Sequence, residues 1–181
     1  MLTNTSNNNK IFGLRQLLIT VAFLFLLILG AKIDLNLGGK VSFTLQTLVL
    51  GIAYYFLSKR WRLALIFIYL TLGIMGISVF NSGAGWDYFI SWPLGFFIGF
   101  LVAALLPTTR DNSSWPPLIY FLFLHAIIIV LGACWIAVYT NSTQNGIETL
   151  IELLPGVFIK SGVGAALIWL WQAAETRKLI G

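Results

Sequence analysis

The chain has 181 residues, 59% hydrophobic and only 9% charged, with a formal net charge of +5. Soluble domains carry about a quarter charged residues, so this composition excludes a water-soluble single-core fold; the abundance of apolar side chains equally excludes a disordered chain. A polytopic membrane protein remains, and at about 20 residues per crossing the length accommodates roughly six helices with short loops, leaving no room for an ATPase or a Rossmann unit.

One cysteine, Cys134, and one histidine, His125, argue against an internal disulfide framework and against a cysteine- or histidine-based metal centre. No basic run with interleaved aromatics points to nucleic acid. No cofactor and no catalytic residue is expected.

In chain order, residues 1–10 are polar and Asn-rich and read as a disordered tail. Lys10 and Arg15 precede the apolar run Gln16–Ala31. No A-x-A-like cleavage site follows it, so it reads as a retained first helix. Further apolar runs cover Val41–Ser58, Leu63–Phe80, Tyr88–Pro107, Pro117–Tyr139 and Leu154–Ala174. Backbone amides in lipid must pair internally, which makes runs of this length helices, and none alternates as a barrel strand would. Within the fourth run, Gly95, Gly99 and Ala103 recur every four residues, a close-packing face, and Pro93 is placed to kink or start the helix. The expected fold is an all-α membrane protein with a six-helix transmembrane domain over 11–176 and a cytoplasmic end at 177–181.

Charge sets the expected orientation. Lys10, Arg15, Lys59, Arg60, Arg62, Arg110, Arg177 and Lys178, eight of the eleven basic residues, fall on one side of a six-span topology. The positive-inside rule puts that side, with both termini, in the cytoplasm of a multi-pass cell-membrane protein. The outward connections are richer in other chemistry: Lys32–Lys40, Asn81–Asp87 and Thr140–Leu153 mix amides, glycines, acids and aromatics. A pocket open to the outside needs that mixture, although turn residues alone also account for it.

Several residues are candidates for such a pocket. Lys160 lies about 7–8 Å past Pro155 along the last helix; it either snorkels to the headgroups or, with Gly156 and Gly164 on its face, points into the protein towards an anionic ligand. Gln46 either reads a ligand amide or carboxylate or makes an interhelical hydrogen bond. Trp86, Tyr88 and Trp92 form either an interfacial belt or a wall against a ring-bearing ligand, with Asp87 between them as a possible acceptor. His125 reads as a hydrogen-bonded packing residue rather than a proton relay, and Cys134 as a small buried one.

Four segments, in order and with matching spacing, resemble the BioY-type biotin transporters. Val41–Leu48 (VSFTLQTL) is similar to the family stretch PFTLQTL, and Gly73–Phe80 (GIMGISVF) to GAIGLPVF. Pro93–Phe100 (PLGFFIGF) is similar to PTGGYLLGF, and Leu154–Lys160 (LPGVFIK) to PGDLLK. The resemblance implies the substrate-capture (S) component of an energy-coupling factor (ECF) transporter. Such a component holds a vitamin at the outer surface, works with a transmembrane coupling protein and two ATPase subunits, and topples to deliver it; some members are thought to act alone. It also implies roles for Gln46, for Asn81 as the polar loop residue that reads the biotin head, and for Lys160. Departures are Val157 where the family has an aspartate acceptor, for which Asp87 is the expected substitute, Ser42 for a proline, and Leu26 between Ala22 and Gly30 on the partner-docking face.

The expected function is high-affinity biotin capture and uptake, with substrate-binding residues Lys160, Gln46, Asn81, Asp87, Trp86 and Trp92 beneath a roof of the Lys32–Lys40 and Asn81–Asp87 loops. The alternatives are an S-component-like protein for another small vitamin and an accessory or scaffold protein without biotin. An intramembrane enzyme is disfavoured: no acid lies inside any run and His125 has no helical companion. A Ser161/Lys160 pair would diverge by about 100° on a helix.

Overall fold

The structure, a computed structural model, describes residues 3–34, 44–108 and 115–180, with side chains from 13 to 178 within those ranges. Seven helices run through them: α1 (Thr3–Lys32), α2 (Gln46–Phe56), α3 (Lys59–Ile74), α4 (Trp86–Ile90), α5 (Leu94–Ala103), α6 (Pro117–Tyr139) and α7 (Thr143–Ile180). Among the described residues the only β pairing is an isolated antiparallel bridge between Asp34 and Thr44. It brings together the ends of the segment 35–43. That segment holds Lys40, Ser42 and most of the expected Lys32–Lys40 roof, and, like Arg110, it lies outside the described residues.

Among the described residues, three helices are long and apolar enough to cross a membrane, within Gly13–Lys32, Pro117–Tyr139 and Thr143–Lys178. They expose large apolar side chains, among them Leu18, Phe25, Phe123, Phe158 and Trp169, as a lipid-facing surface requires and a water-facing one does not. α6 begins with Pro117 at a first-turn position, where the missing N–H costs nothing. Asn141 takes a left-handed backbone (φ 50°), which asparagine tolerates, and Ser142 Oγ accepts from Asn145 N–H at 3.3 Å to cap the start of α7.

The structure departs from the expected runs in several places. α1 begins at Thr3, so the polar segment read as a disordered tail is helical backbone from there. The outward connection expected over Thr140–Leu153 is nearly all helix, since α7 starts at Thr143. The third run stops being helical at Ile74 and the fourth breaks at Ser91–Pro93 into α4 and α5. Gly76 (φ +90°) and Gly85 (φ +88°) turn the chain where other residues would be strained, and Gly85 N–H returns to Gly73 O at 2.7 Å. Pro93 starts α5 as its N-cap residue.

α2 and α5 are short, 11 and 10 residues, or about 16 and 15 Å at 1.5 Å per residue. Irregular backbone at membrane depth is tolerated only where protein buries it or it lines a cavity. The breaks beside α2, α3 and α5 meet that condition, because Thr44, Phe80, Asn81, Trp92 and Pro93 all line one cavity.

α6 packs most extensively against α7 and α5, and α1 against α2 and α3. Buried tyrosine hydroxyls fasten the core: Tyr54 donates to Phe100 O (3.0 Å), Tyr69 to Val79 O (3.0 Å) and Tyr120 to Gly51 O (3.1 Å). The Gly95/Gly99/Ala103 face meets α6 as its spacing implies. A Cβ at Gly99 would lie 2.8 Å from Ile128 Cα, whereas one at Gly162, on an open face of α7, would meet nothing within 4 Å. Gly99→Ala is therefore expected to cost about 1–3 kcal/mol through overpacking and Gly162→Ala to cost nothing; thermal unfolding in detergent checks the contrast.

Candidate functional site

Enclosed by α2, the segment after α3, and α4 to α7 is a cavity with about 740 Å³ of empty space, its mouth and the open space before it included. One wall is aromatic. Phe80 packs on Phe97 with ring centroids 4.5 Å apart and stacks on Tyr88 at 5.8 Å; Tyr88 meets Trp92 edge-on at 6.1 Å, and Phe97 meets Phe100 at 5.9 Å. Ile128, Ile129, Leu153 and Val157 continue the apolar lining, and Thr44, Gln46, Thr47, Asn81, His125 and Lys160 supply polarity.

Lys160 is 9% exposed. Its Nζ donates to Thr47 Oγ1 at 2.9 Å and Thr44 O at 3.3 Å, so the ammonium points into the protein and does not snorkel. Gly156 and Gly164 are buried on the same side, as the small-residue face suggested. Gln46 makes the interhelical hydrogen bond, Nε2 donating to Tyr69 OH at 2.9 Å, and it also lines the cavity. Asn81 and Trp92 line it as well.

Asp87 and Trp86 do not. Asp87 is exposed and Trp86 is 57% exposed, stacked on Phe89 at 5.9 Å. Successive side chains on the single turn of α4 diverge by about 100°, and Tyr88 takes the inward direction. The acceptor expected at Asp87 is thus not in the lining, and at Val157, 5% exposed, the lining is apolar.

Sequence reasoning missed two features. Lys32, expected in an outward loop, donates from Nζ to Ser78 Oγ at 3.0 Å and to Phe80 O, tying the end of α1 to the segment that carries Phe80 and Asn81. His125 is the hydrogen-bonded, packed residue the sequence suggested, but it also lines the cavity. Its Nδ1 lies 2.9 Å from both Phe121 O, one turn back on α6, and Ser161 Oγ on α7. A carbonyl cannot donate, so the proton is on Nδ1 and both oxygens accept it. With the proton there, Nδ1 does not act as a base towards Ser161, which is wholly buried and outside the lining. Among the described residues no group of three His, Cys, Asp or Glu could hold a metal.

Long apolar helices around a cavity with a buried ammonium and an aromatic wall define an integral membrane protein with an internal cavity of mixed polarity. The sequence pattern of the BioY family matches residues 3–178; the chain belongs to the BioY family. A curated relative, biotin transporter BioY2 of Lactococcus lactis subsp. cremoris, is 30% identical over 86% of this chain and 91% of its own length. The biotin transporter BioY of Thermotoga maritima is 32% identical over 56% of this chain, a match spanning 63% of that protein. The fold is that of the crystal structure of the S-component for biotin from an ECF-type ABC transporter, with a TM-score of 0.77 at 18% identity over 96% of this chain and 95% of that one. The family and its relatives are transport components, not enzymes.

Proposed function

We propose that this chain captures biotin at the outer face of the cell membrane and carries it inward as the S component of an ECF-type transporter. The observation that carries the reading is Lys160, a buried cation held by Thr44 and Thr47 at the cavity, facing an aromatic wall suited to an apolar ring system. Family membership and the names of the relatives supply the vitamin. The ammonium donates to the ligand's carboxylate or ureido oxygen, Asn81 and Gln46 complete the polar contacts, and Trp92 closes the wall.

Six crossings with both termini in the cytoplasm accompany this reading. α2 and α3 make the second and third crossings, α4 and α5 jointly the fourth, and the irregular stretches fill the remaining depth beside the cavity. The basic residues of the α2–α3 turn and of the end of α7 then lie together on the inner side, as the positive-inside rule asks. The partners are a transmembrane coupling protein and ATPase subunits, by likeness to the S-component named above.

Val157 favours a second reading, in which the ligand is another small vitamin without biotin's demand for a carboxylate acceptor at that position. Calorimetry of the purified protein against biotin and the other B vitamins separates the two. One-site binding of biotin alone is expected; binding of a different vitamin, or of none, overturns the first reading.

A further inference from the structure

We propose that His125 is the ligand's hydrogen-bond acceptor in this cavity, and that the site selects a compound whose ring places an N–H beside a carbonyl: a cyclic urea, lactam or imide. The inference rests on the reading of the cavity as the ligand site and deepens it.

His125 is 1% exposed and lines the cavity. The edge of the ring bearing Nδ1 is committed to Phe121 O and Ser161 Oγ, which fixes the proton there. In a neutral imidazole the other nitrogen then carries a lone pair and accepts. That nitrogen, Nε2, is buried and has no hydrogen-bond partner. An unmet buried acceptor costs free energy, and native proteins rarely leave one without a purpose. The serine that orients the imidazole adjoins Lys160 in sequence, and both Lys160 and His125 contribute to the lining. One donor and one acceptor thus belong to the lining of the same cavity. A cyclic amide or urea complements them: its C=O accepts from the ammonium and its N–H donates to Nε2. Val157 can do neither, so His125 takes the acceptor role that the wall at residue 157 lacks.

His125 is the only histidine in the chain, which makes a direct test possible on the intact protein. With ¹⁵N-labelled histidine and an affinity tag free of histidine, one pair of ring-nitrogen resonances reports this site. The expected spectrum of the free protein has a protonated Nδ1 and an unprotonated Nε2, and saturating biotin moves the Nε2 resonance towards that of a hydrogen-bonded acceptor. His125→Phe, which keeps the ring and removes the acceptor, is expected to weaken biotin binding roughly ten- to a hundredfold. The same variant should bind biotin methylated on both ureido nitrogens no worse than the wild type does. A proton on Nε2 in the free protein, an Nε2 resonance unmoved by bound biotin, or unchanged affinity in folded His125→Phe overturns the proposal while leaving biotin capture standing. Failure of the wild type to bind biotin overturns the functional reading and this inference with it. Should His125→Phe not fold, the resonance measurement on the wild type decides alone.

Discussion

Lys160→Ala is expected to abolish measurable vitamin binding while the protein still inserts and purifies as a folded species. A hydrogen bond to a charged donor contributes about 1.5–3 kcal/mol, or roughly ten- to a hundredfold in affinity at about 1.4 kcal/mol per decade. The alanine also releases Thr47 Oγ1 and Thr44 O, which Nζ holds at 2.9 and 3.3 Å, so the start of α2 loses its tie to α7 and the combined loss exceeds roughly a hundredfold. Lys160→Met keeps most of the bulk and removes only the ammonium, and should lose nearly as much. Lys160→Arg should not rescue, because a planar fork does not replace a compact ammonium in a fitted site. Calorimetry paired with size-exclusion chromatography checks all three; a folded Lys160→Ala variant with wild-type affinity would refute the assignment.

The second large effect is expected at Arg62, on stability alone. Arg62 is 1% exposed. Its guanidinium donates from Nε to Leu57 O (2.8 Å), from one terminal nitrogen to Leu106 O (2.8 Å) and from the other to Thr108 Oγ1 (2.5 Å). One side chain therefore satisfies the carbonyl that closes the α2–α3 turn and the residues beyond the end of α5. Arg62→Ala removes the donors of the buried Leu57 O and the half-buried Leu106 O, at about 1–3 kcal/mol for a buried acceptor, so a loss on the order of 3 kcal/mol is expected. Arg62→Lys should recover only part of it, since an ammonium cannot span three acceptors in fork geometry. Thermal unfolding in detergent measures the loss. Affinity in the fraction that folds should be unchanged, because Arg62 is not among the residues that line the cavity; an unaltered melting temperature would contradict the clamp.

Arg62 also shows where sequence reading stops. As a basic residue between two apolar runs it reads as an orientation marker, and nothing local says that it turns inward to a carbonyl 44 positions away and a hydroxyl 46 positions away. The apolar runs themselves were legible, because hydrophobicity records burial in lipid or protein. It does not record backbone conformation: Ile77, Val79 and Phe80 extend an apolar run yet lie beyond the end of α3, past a glycine at φ +90°. The inward aim of Lys160 was legible from the small residues at four-residue spacing on either side of it. Asp87 and Trp86 were not assignable, since a one-turn helix has too little periodicity to reveal which residue faces in. The role of His125 depends on its ring tautomer, set by Phe121 O and by a serine on another helix, information that no local pattern contains.

The lysine that ends α1 gives the molecule a mechanical property. Because Lys32 holds Ser78 Oγ and Phe80 O, the first helix is not an independent mast in the bilayer. If it tilts or slides, it must either drag the Phe80–Asn81 stretch along or give up both attachments. A push delivered to α1 from outside the protein would therefore be felt as a tug on the rim of the vitamin chamber, so that reorienting in the membrane and loosening the grip on cargo would be parts of one movement.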